Sequence, residues 1–152
     1  MNRVTRNRLL IWIIFLGLAN FVGYTVMYWK IGGDAKNGEI RNGAYYVRGH
    51  HLRHEGGEFG RESPVRRGVW IYSYLHSISI WPTIAAVLVS MFILARPHII
   101  ATMKQDALIQ GTTFVTVCIT VVVLVTGVST LYFILDFFRA LAVVGRGGEL
   151  GA

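Results

Sequence analysis

Residues 9–29, LLIWIIFLGLANFVGYTVMYW, form an apolar run without a single charged side chain. At 1.5 Å per residue, a helix over this run reaches about 31 Å, which matches a hydrocarbon core of about 30 Å. A secretory signal peptide is the competing interpretation, because three arginines precede the run. The run is longer than a signal peptide needs, however, and it ends in Tyr28-Trp29-Lys30 instead of small residues. We therefore predict an uncleaved membrane span.

Two more apolar segments predict spans at about residues 66–95 and 109–136. Ser63-Pro64 is typical of a helix start, and Arg96-Pro97 is expected to end the second helix. The third segment is rich in Val and Thr, which in a soluble protein would favour a strand. The length of this segment favours a helix. A lone strand is also excluded in lipid, because it cannot pair its backbone polar groups there.

Composition supports the same fold class. Charged residues make up only 15% of the 152 residues, against about 25% in soluble domains, and they gather outside the three apolar runs. We predict an all-α protein with three transmembrane helices, forming a single membrane domain over residues 1–152. The net charge of +7 fits contacts with lipid headgroups, since no basic helix or basic aromatic patch indicates nucleic-acid binding.

The polar loop over residues 30–65 carries turn signals. Asn37-Gly38 and Asn42-Gly43 are both pairs that tight turns favour. Residues 44–48 are typical of a short strand, and residues 58–61 are its expected partner. A two-stranded hairpin of this size needs support from the membrane domain or from a partner.

Aromatic residues cluster at the loop-side ends of all three predicted spans, as expected of an interfacial belt. Basic residues give a divided signal, because the N-terminal flank has three arginines and no acid while the 30–65 loop has more basic residues overall. The first span usually dominates orientation. We expect the N-terminus in the cytoplasm, the 30–65 loop outside, and a bacterial inner membrane as the location.

The loop also contains a group of possible metal ligands. His50, His51, His54 and Glu55 lie within six residues, and imidazole nitrogens and carboxylate oxygens are ordinary ligands of Zn²⁺, Cu²⁺ and Ni²⁺. A metal site is one hypothesis. The alternative is a solvated loop, because the neighbouring glycines provide no rigid scaffold for ligands.

Three ionisable residues within or just after the spans are candidates for a role. His76 could bind haem, relay a proton, or form a hydrogen bond to a neighbouring helix. The simplest interpretation is a neutral histidine with a hydrogen bond to Ser73, Ser77, Asn20 or water. A haem held by two histidines needs a second one at similar depth, and no other span offers it. Asp136 and Arg139 follow the third span at helical spacing, and we expect them to form an exposed ion pair.

Three functional hypotheses follow. The leading one is a non-enzymatic subunit of a membrane assembly or a homo-oligomer, because three helices enclose little interior space. The second is a redox component that binds a metal or haem through the loop histidines and His76. The third is a small pore, for which Thr113, Thr116 and Thr120 on one face of the third span are the candidate polar lining.

Overall fold

The computed structural model describes residues 2–49, 60–103 and 109–147, the last five as backbone alone. Three helices account for most of them: α1 (Arg3–Ile31), α2 (Arg67–Thr102) and α3 (Gly111–Gly147). All three are long and apolar enough to cross a membrane. The predicted helices are therefore present. Helix α1 extends beyond its predicted span at both ends, whereas α2 and α3 begin slightly later than predicted and extend beyond their spans at the C-terminal end.

The ends of α2 differ from the prediction. Ser63 and Pro64 belong to a strand, and the helix begins at Arg67. The residue before a proline favours extended backbone, which explains why Ser63 enters a strand. At the other end, Pro97 does not terminate the helix, which continues to Thr102 with Pro82 and Pro97 inside it.

The loop after α1 forms a three-stranded antiparallel sheet in the order β1 (Ile40–Arg41), β2 (Ala44–Arg48) and β3 (Glu62–Val65). Asn42 and Gly43 join β1 to β2 with φ values of 48° and 75°, as a type I′ hairpin turn requires. The strand over residues 44–48 is confirmed. Its main partner is Glu62–Val65 and not the predicted 58–61, of which Gly60 and Arg61 only continue the pairing through backbone hydrogen bonds with Gly49. Residues 58 and 59 lie outside the described residues.

The sheet has one polar and one buried face. Tyr45 and Val47 on β2 are 9% and 0% exposed, and they alternate with the more exposed Tyr46 and Arg48. On the polar face, Glu62 forms ion pairs with Arg41 and Arg48, and the Arg41 guanidinium lies 5.3 Å from the Tyr46 ring centre. The buried face is continuous with the core formed by Trp70, Tyr74 and Phe137.

The chain divides into two compact units. The first unit contains Met1–Phe21 and Trp81–Ser129, with Leu10, Ser90 and Val115 as its buried side chains among the described residues. The second unit contains Val22–Ile80 and Thr130–Ala152, and it includes the three-stranded sheet. The second unit also holds the buried aromatic core and most of the polar contacts between distant residues.

Candidate functional site

The segment between α1 and β1 is fixed by its backbone. Gly33 donates a hydrogen bond to the Tyr28 carbonyl (2.9 Å), and Asp34 exchanges two backbone hydrogen bonds with Arg48 (3.1 and 3.0 Å). Gly33 has a φ of 146°, and a Cβ there would overlap the carbonyl group of Arg48. Only glycine fits this crossing without displacing the strand.

The Asp34 carboxylate lies at the centre of this segment and is 6% exposed. It accepts hydrogen bonds from the Tyr24 hydroxyl (2.9 Å), the Asn37 backbone amide (2.9 Å) and the Asn37 side-chain amide (2.9 and 3.1 Å). The next residue, Ala35, donates its amide to Ser73 Oγ of α2 (3.1 Å). Asp34 therefore joins α1 to the turn before β1, and Ala35 joins the same turn to α2.

A second carboxylate fixes the other side of the turn. Asp136 of α3 accepts hydrogen bonds from Lys36 Nζ (3.0 Å) and from the Tyr74 hydroxyl (2.6 Å). The Lys36 ammonium also lies 4.9 Å from the centre of the Phe133 ring, within the range of a cation–π interaction. The prediction that Asp136 pairs with Arg139 is wrong, because Asp136 forms its ion pair with Lys36. A longer-range contact has replaced the local one.

An aromatic cluster packs next to the Asp136 site, to which its member Tyr74 donates a hydrogen bond. Trp70 is 1% exposed, and its ring centre lies 5.0 Å from that of Tyr74, 5.8 Å from Tyr45 and 6.3 Å from Phe137. Among the described residues, Trp70 Nε1 has no hydrogen-bond acceptor. The cluster packs helices α2 and α3 against the buried face of the sheet. It therefore holds in place the elements that carry the two carboxylate sites.

His76 lies beside the Asp34 site. Its Nδ1 is 3.1 Å from the Tyr72 hydroxyl, one helical turn earlier, and its ring meets the Tyr24 ring edge-on with centres 5.4 Å apart. Within the described part of the second unit, no other histidine is present. The Tyr72 hydroxyl was not among the partners that the sequence suggested for His76, and the proposed role of His76 as a haem ligand stays a prediction.

A crevice separates His76 from Asp34, with Tyr24, Tyr72 and Ser73 also in its lining. About 10 Å³ of it is open to the centre of a water molecule, which is the room that one water needs. Pockets for small organic ligands are commonly about 300 Å³ or larger. The crevice can hold a solvent molecule that bridges polar groups, but not an organic substrate.

The predicted metal ligands His50, His51, His54 and Glu55 lie outside the described residues, so this hypothesis stays a prediction. Over residues 2–49, 60–103 and 109–147, no group of three or more His, Cys, Asp or Glu side chains is positioned to hold a metal ion. The residues that dominate the described site are Asp34, Lys36, Tyr24 and Tyr74, and sequence reasoning did not select them.

The first unit has a separate feature, an open groove of about 380 Å³ between α1 and α2. Asn20 donates a hydrogen bond to Thr83 Oγ1 (3.0 Å) at this groove. Beside it, a Cβ on Gly17 would overlap Val87, so the two helices approach closely at the glycine. The threonines at 113, 116 and 120 on α3 are exposed, and Thr116 donates its hydroxyl to the carbonyl of Thr112.

Comparisons with known proteins add no relative to this description: no protein-family model matches the chain, and neither a curated protein nor a solved structure matches it.

Proposed function

We propose that the chain is an integral membrane protein whose three helices span a bilayer. The helices of 29, 36 and 37 residues extend about 44–56 Å at 1.5 Å per residue, enough for the hydrocarbon core and both headgroup regions. In the most apolar window of each helix, only 11%, 11% and 6% of residues are buried by the chain itself. Lipid tails or partner helices are the natural cover for so much apolar surface.

The membrane and the orientation are part of the same proposal. We place the protein in a bacterial inner membrane, with the N-terminus in the cytoplasm and the sheet outside. Arg3, Arg6 and Arg8 before the first span support this orientation. The sheet side has more basic residues in total, of which only Lys36, Arg41 and Arg48, among those that the structure describes, form ion pairs with carboxylates of the same unit. The orientation therefore rests on the first span, which usually dominates. Side-specific labelling of cysteines placed near either end of α1 tests this orientation.

For the biological role, the proposal is a non-enzymatic subunit of a larger membrane assembly. This proposal rests on the hydrogen bonds that the carboxylates of Asp34 and Asp136 accept. Both accept their hydrogen bonds from donors of the same chain, and those donors fix a turn between helices. A catalytic acid or base needs to reach a proton on a substrate. Here, the room beside Asp34 is that of one water molecule.

The exposed helical surface supports assembly. α3 exposes Thr113, Thr116 and Thr120 along one face, and such small polar side chains commonly contact neighbouring helices in membrane proteins. On α1, a Cβ at Gly23 would meet no atom within 4 Å. This position therefore leaves room for close approach by a helix of another subunit.

Native mass spectrometry of the tagged protein, extracted from its own membrane in mild detergent, tests the role. The proposal expects a second polypeptide at fixed stoichiometry. A monomer without any partner would contradict it. A particle made only of copies of this chain would indicate a homo-oligomer instead, and added mass from a metal or haem would favour the redox hypothesis.

A further inference from the structure

The acidic side chains in the described part of the second unit all have partners within the chain. Asp34 and Asp136 accept the hydrogen bonds given above, while Glu39 pairs with Arg41, and Glu62 pairs with Arg41 and Arg48. Over residues 22–49, 60–80 and 130–142, each carboxylate therefore already forms a hydrogen bond or an ion pair with a residue of the same unit. Any further cation in this part of the chain must find its counter-charge elsewhere.

Five cations form no direct ion pair with a described carboxylate, although the charge of Arg139 also acts on Asp136 at longer range. They are exposed, and none forms an ion pair with a described residue. We call this set the basic ring; its members are Lys30, Arg61, Arg66, Arg67 and Arg139. Lys30 lies in the last turn of α1, Arg61 and Arg66 flank β3, and Arg67 is the first residue of α2. Arg139 lies in the C-terminal part of α3.

Exposed aromatic residues accompany the basic ring on each helix. Trp29 precedes Lys30 and is 73% exposed, Tyr72 follows Arg67 and is 45% exposed, and Phe138 precedes Arg139 and is 62% exposed. Amphipathic aromatic rings and long basic side chains share the headgroup layer of a bilayer. Each of the three helices therefore has an exposed aromatic side chain within five residues of a member of the basic ring.

We infer that the basic ring binds the phosphate groups of anionic phospholipids, so that the protein selects such lipids around its sheet-side end. This inference rests on the proposed membrane insertion. Charge complementarity supports it, because none of the five residues forms a direct ion pair with a described carboxylate. Phosphate oxygens accept the several hydrogen bonds that each guanidinium offers. The aromatic side chains then hold the arginines at headgroup depth.

The test uses the full chain in nanodiscs containing phosphatidylcholine and phosphatidylglycerol. Native mass spectrometry measures which lipids stay bound after release. Both leaflets have the same composition, so the result does not depend on orientation. We expect the wild type to retain phosphatidylglycerol preferentially. Arg66→Gln/Arg67→Gln should lower the retention ratio about thirtyfold, which is about fivefold for each arginine lost, because each basic residue near an anionic surface contributes about 1 kcal/mol.

Arg66→Lys/Arg67→Lys is the matched control, because it keeps both charges and should keep most of the preference. If the glutamine pair does not incorporate, Arg139→Gln against Arg139→Lys provides the same comparison on another helix. Equal retention of both lipids by the wild type would overturn the basic ring while leaving membrane insertion intact. Failure of the wild type to enter nanodiscs would instead contradict the proposed function. An unchanged lipid ratio, with an acidic polypeptide lost from the variant, would show that the ring binds a protein.

Discussion

Lys36 and Asp136 lie 100 residues apart in sequence, yet Lys36 Nζ donates to Asp136 Oδ2 at 3.0 Å. The contact joins the turn before β1 to helix α3, and Tyr74 of α2 donates to the same carboxylate oxygen. Oδ2 of Asp136 therefore accepts one hydrogen bond from the turn before β1 and one from α2. This convergence fixes the position of the turn relative to the helices of the second unit.

Removing that acceptor should loosen the turn. Asp136→Ala leaves the Tyr74 hydroxyl, on a side chain 2% exposed, without its acceptor, and it removes the partner of Lys36. We expect a loss of about 1–3 kcal/mol in the free energy of unfolding in detergent. Because both ion-pair side chains are partly exposed, a double-mutant cycle with Lys36→Met should give a coupling of about 1 kcal/mol or less. A cost for Asp136→Ala no larger than that coupling would show that the Tyr74 hydrogen bond contributes nothing.

The Asp34 site should be more sensitive than any exposed carboxylate. Asp34→Ala removes the acceptor of Tyr24 and Asn37 together, and we expect a loss of about 2–4 kcal/mol. Asp34→Asn keeps one acceptor oxygen and should cost less. Hydrogen exchange at the Asn37 amide provides a local readout, because this amide donates to Asp34.

Glu39→Ala is the control for the Asp34 variants. Its side chain is exposed and pairs only with Arg41 among the described residues, so we expect a change below about 1 kcal/mol. Equal stability losses for Asp34→Ala and Glu39→Ala would contradict a structural role for the buried carboxylate.

Two glycines of α1 should respond in opposite ways to the same substitution. Gly17→Ala places a methyl group against Val87 and Thr83, whereas Gly23→Ala meets no atom within 4 Å. We expect Gly17→Ala to lower the thermal midpoint by the equivalent of about 1–3 kcal/mol. Gly23→Ala should leave a monomer unchanged or raise its midpoint, since alanine is the better helix former. If the exposed position instead contacts a partner helix, Gly23→Ala should selectively reduce recovery of that partner.

The unpaired indole nitrogen of Trp70 makes a third comparison. Trp70→Ala should cost about 3–5 kcal/mol, because it empties the centre of the aromatic cluster. Trp70→Phe keeps most of the ring and removes the buried donor that lacks a described acceptor. We therefore expect phenylalanine to cost much less than alanine, as measured by thermal unfolding. Similar costs would indicate that the indole nitrogen has an acceptor beyond the described residues.

Sequence reasoning succeeded where length and hydropathy decide the outcome. The three helices could be predicted because long runs without charges have few alternatives to a spanning helix. The strand Ala44–Arg48 was also predictable from its composition and from the Asn42-Gly43 turn beside it. These signals are local, so a single sequence is enough to reveal them.

The site could not be predicted in the same way. Asp136 has Arg139 at helical spacing, and the local rule selected that pair, whereas folding brings Lys36 to Asp136 from a distant turn. Ser63-Pro64 resembled a helix start until pairing with Tyr46 and Val47 placed both residues in β3. Each difference arises from tertiary contacts that outweigh a local preference. The sequence did contain one signal for the Asp34 site, because Gly32-Gly33-Asp34 places two consecutive glycines and an acidic residue at the end of a helix.

Side-specific cysteine labelling tests the central claim, a three-span protein with its sheet outside the cell, most directly. Thr5→Cys and Arg61→Cys are placed singly in a Cys118→Ser background and treated with a membrane-impermeant maleimide. With the N-terminus in the cytoplasm and the sheet outside, intact cells should label position 61 but not position 5, and inverted vesicles should show the reverse. Labelling of both positions from the same side would contradict the first span, and protection of position 61 in cells would contradict the orientation.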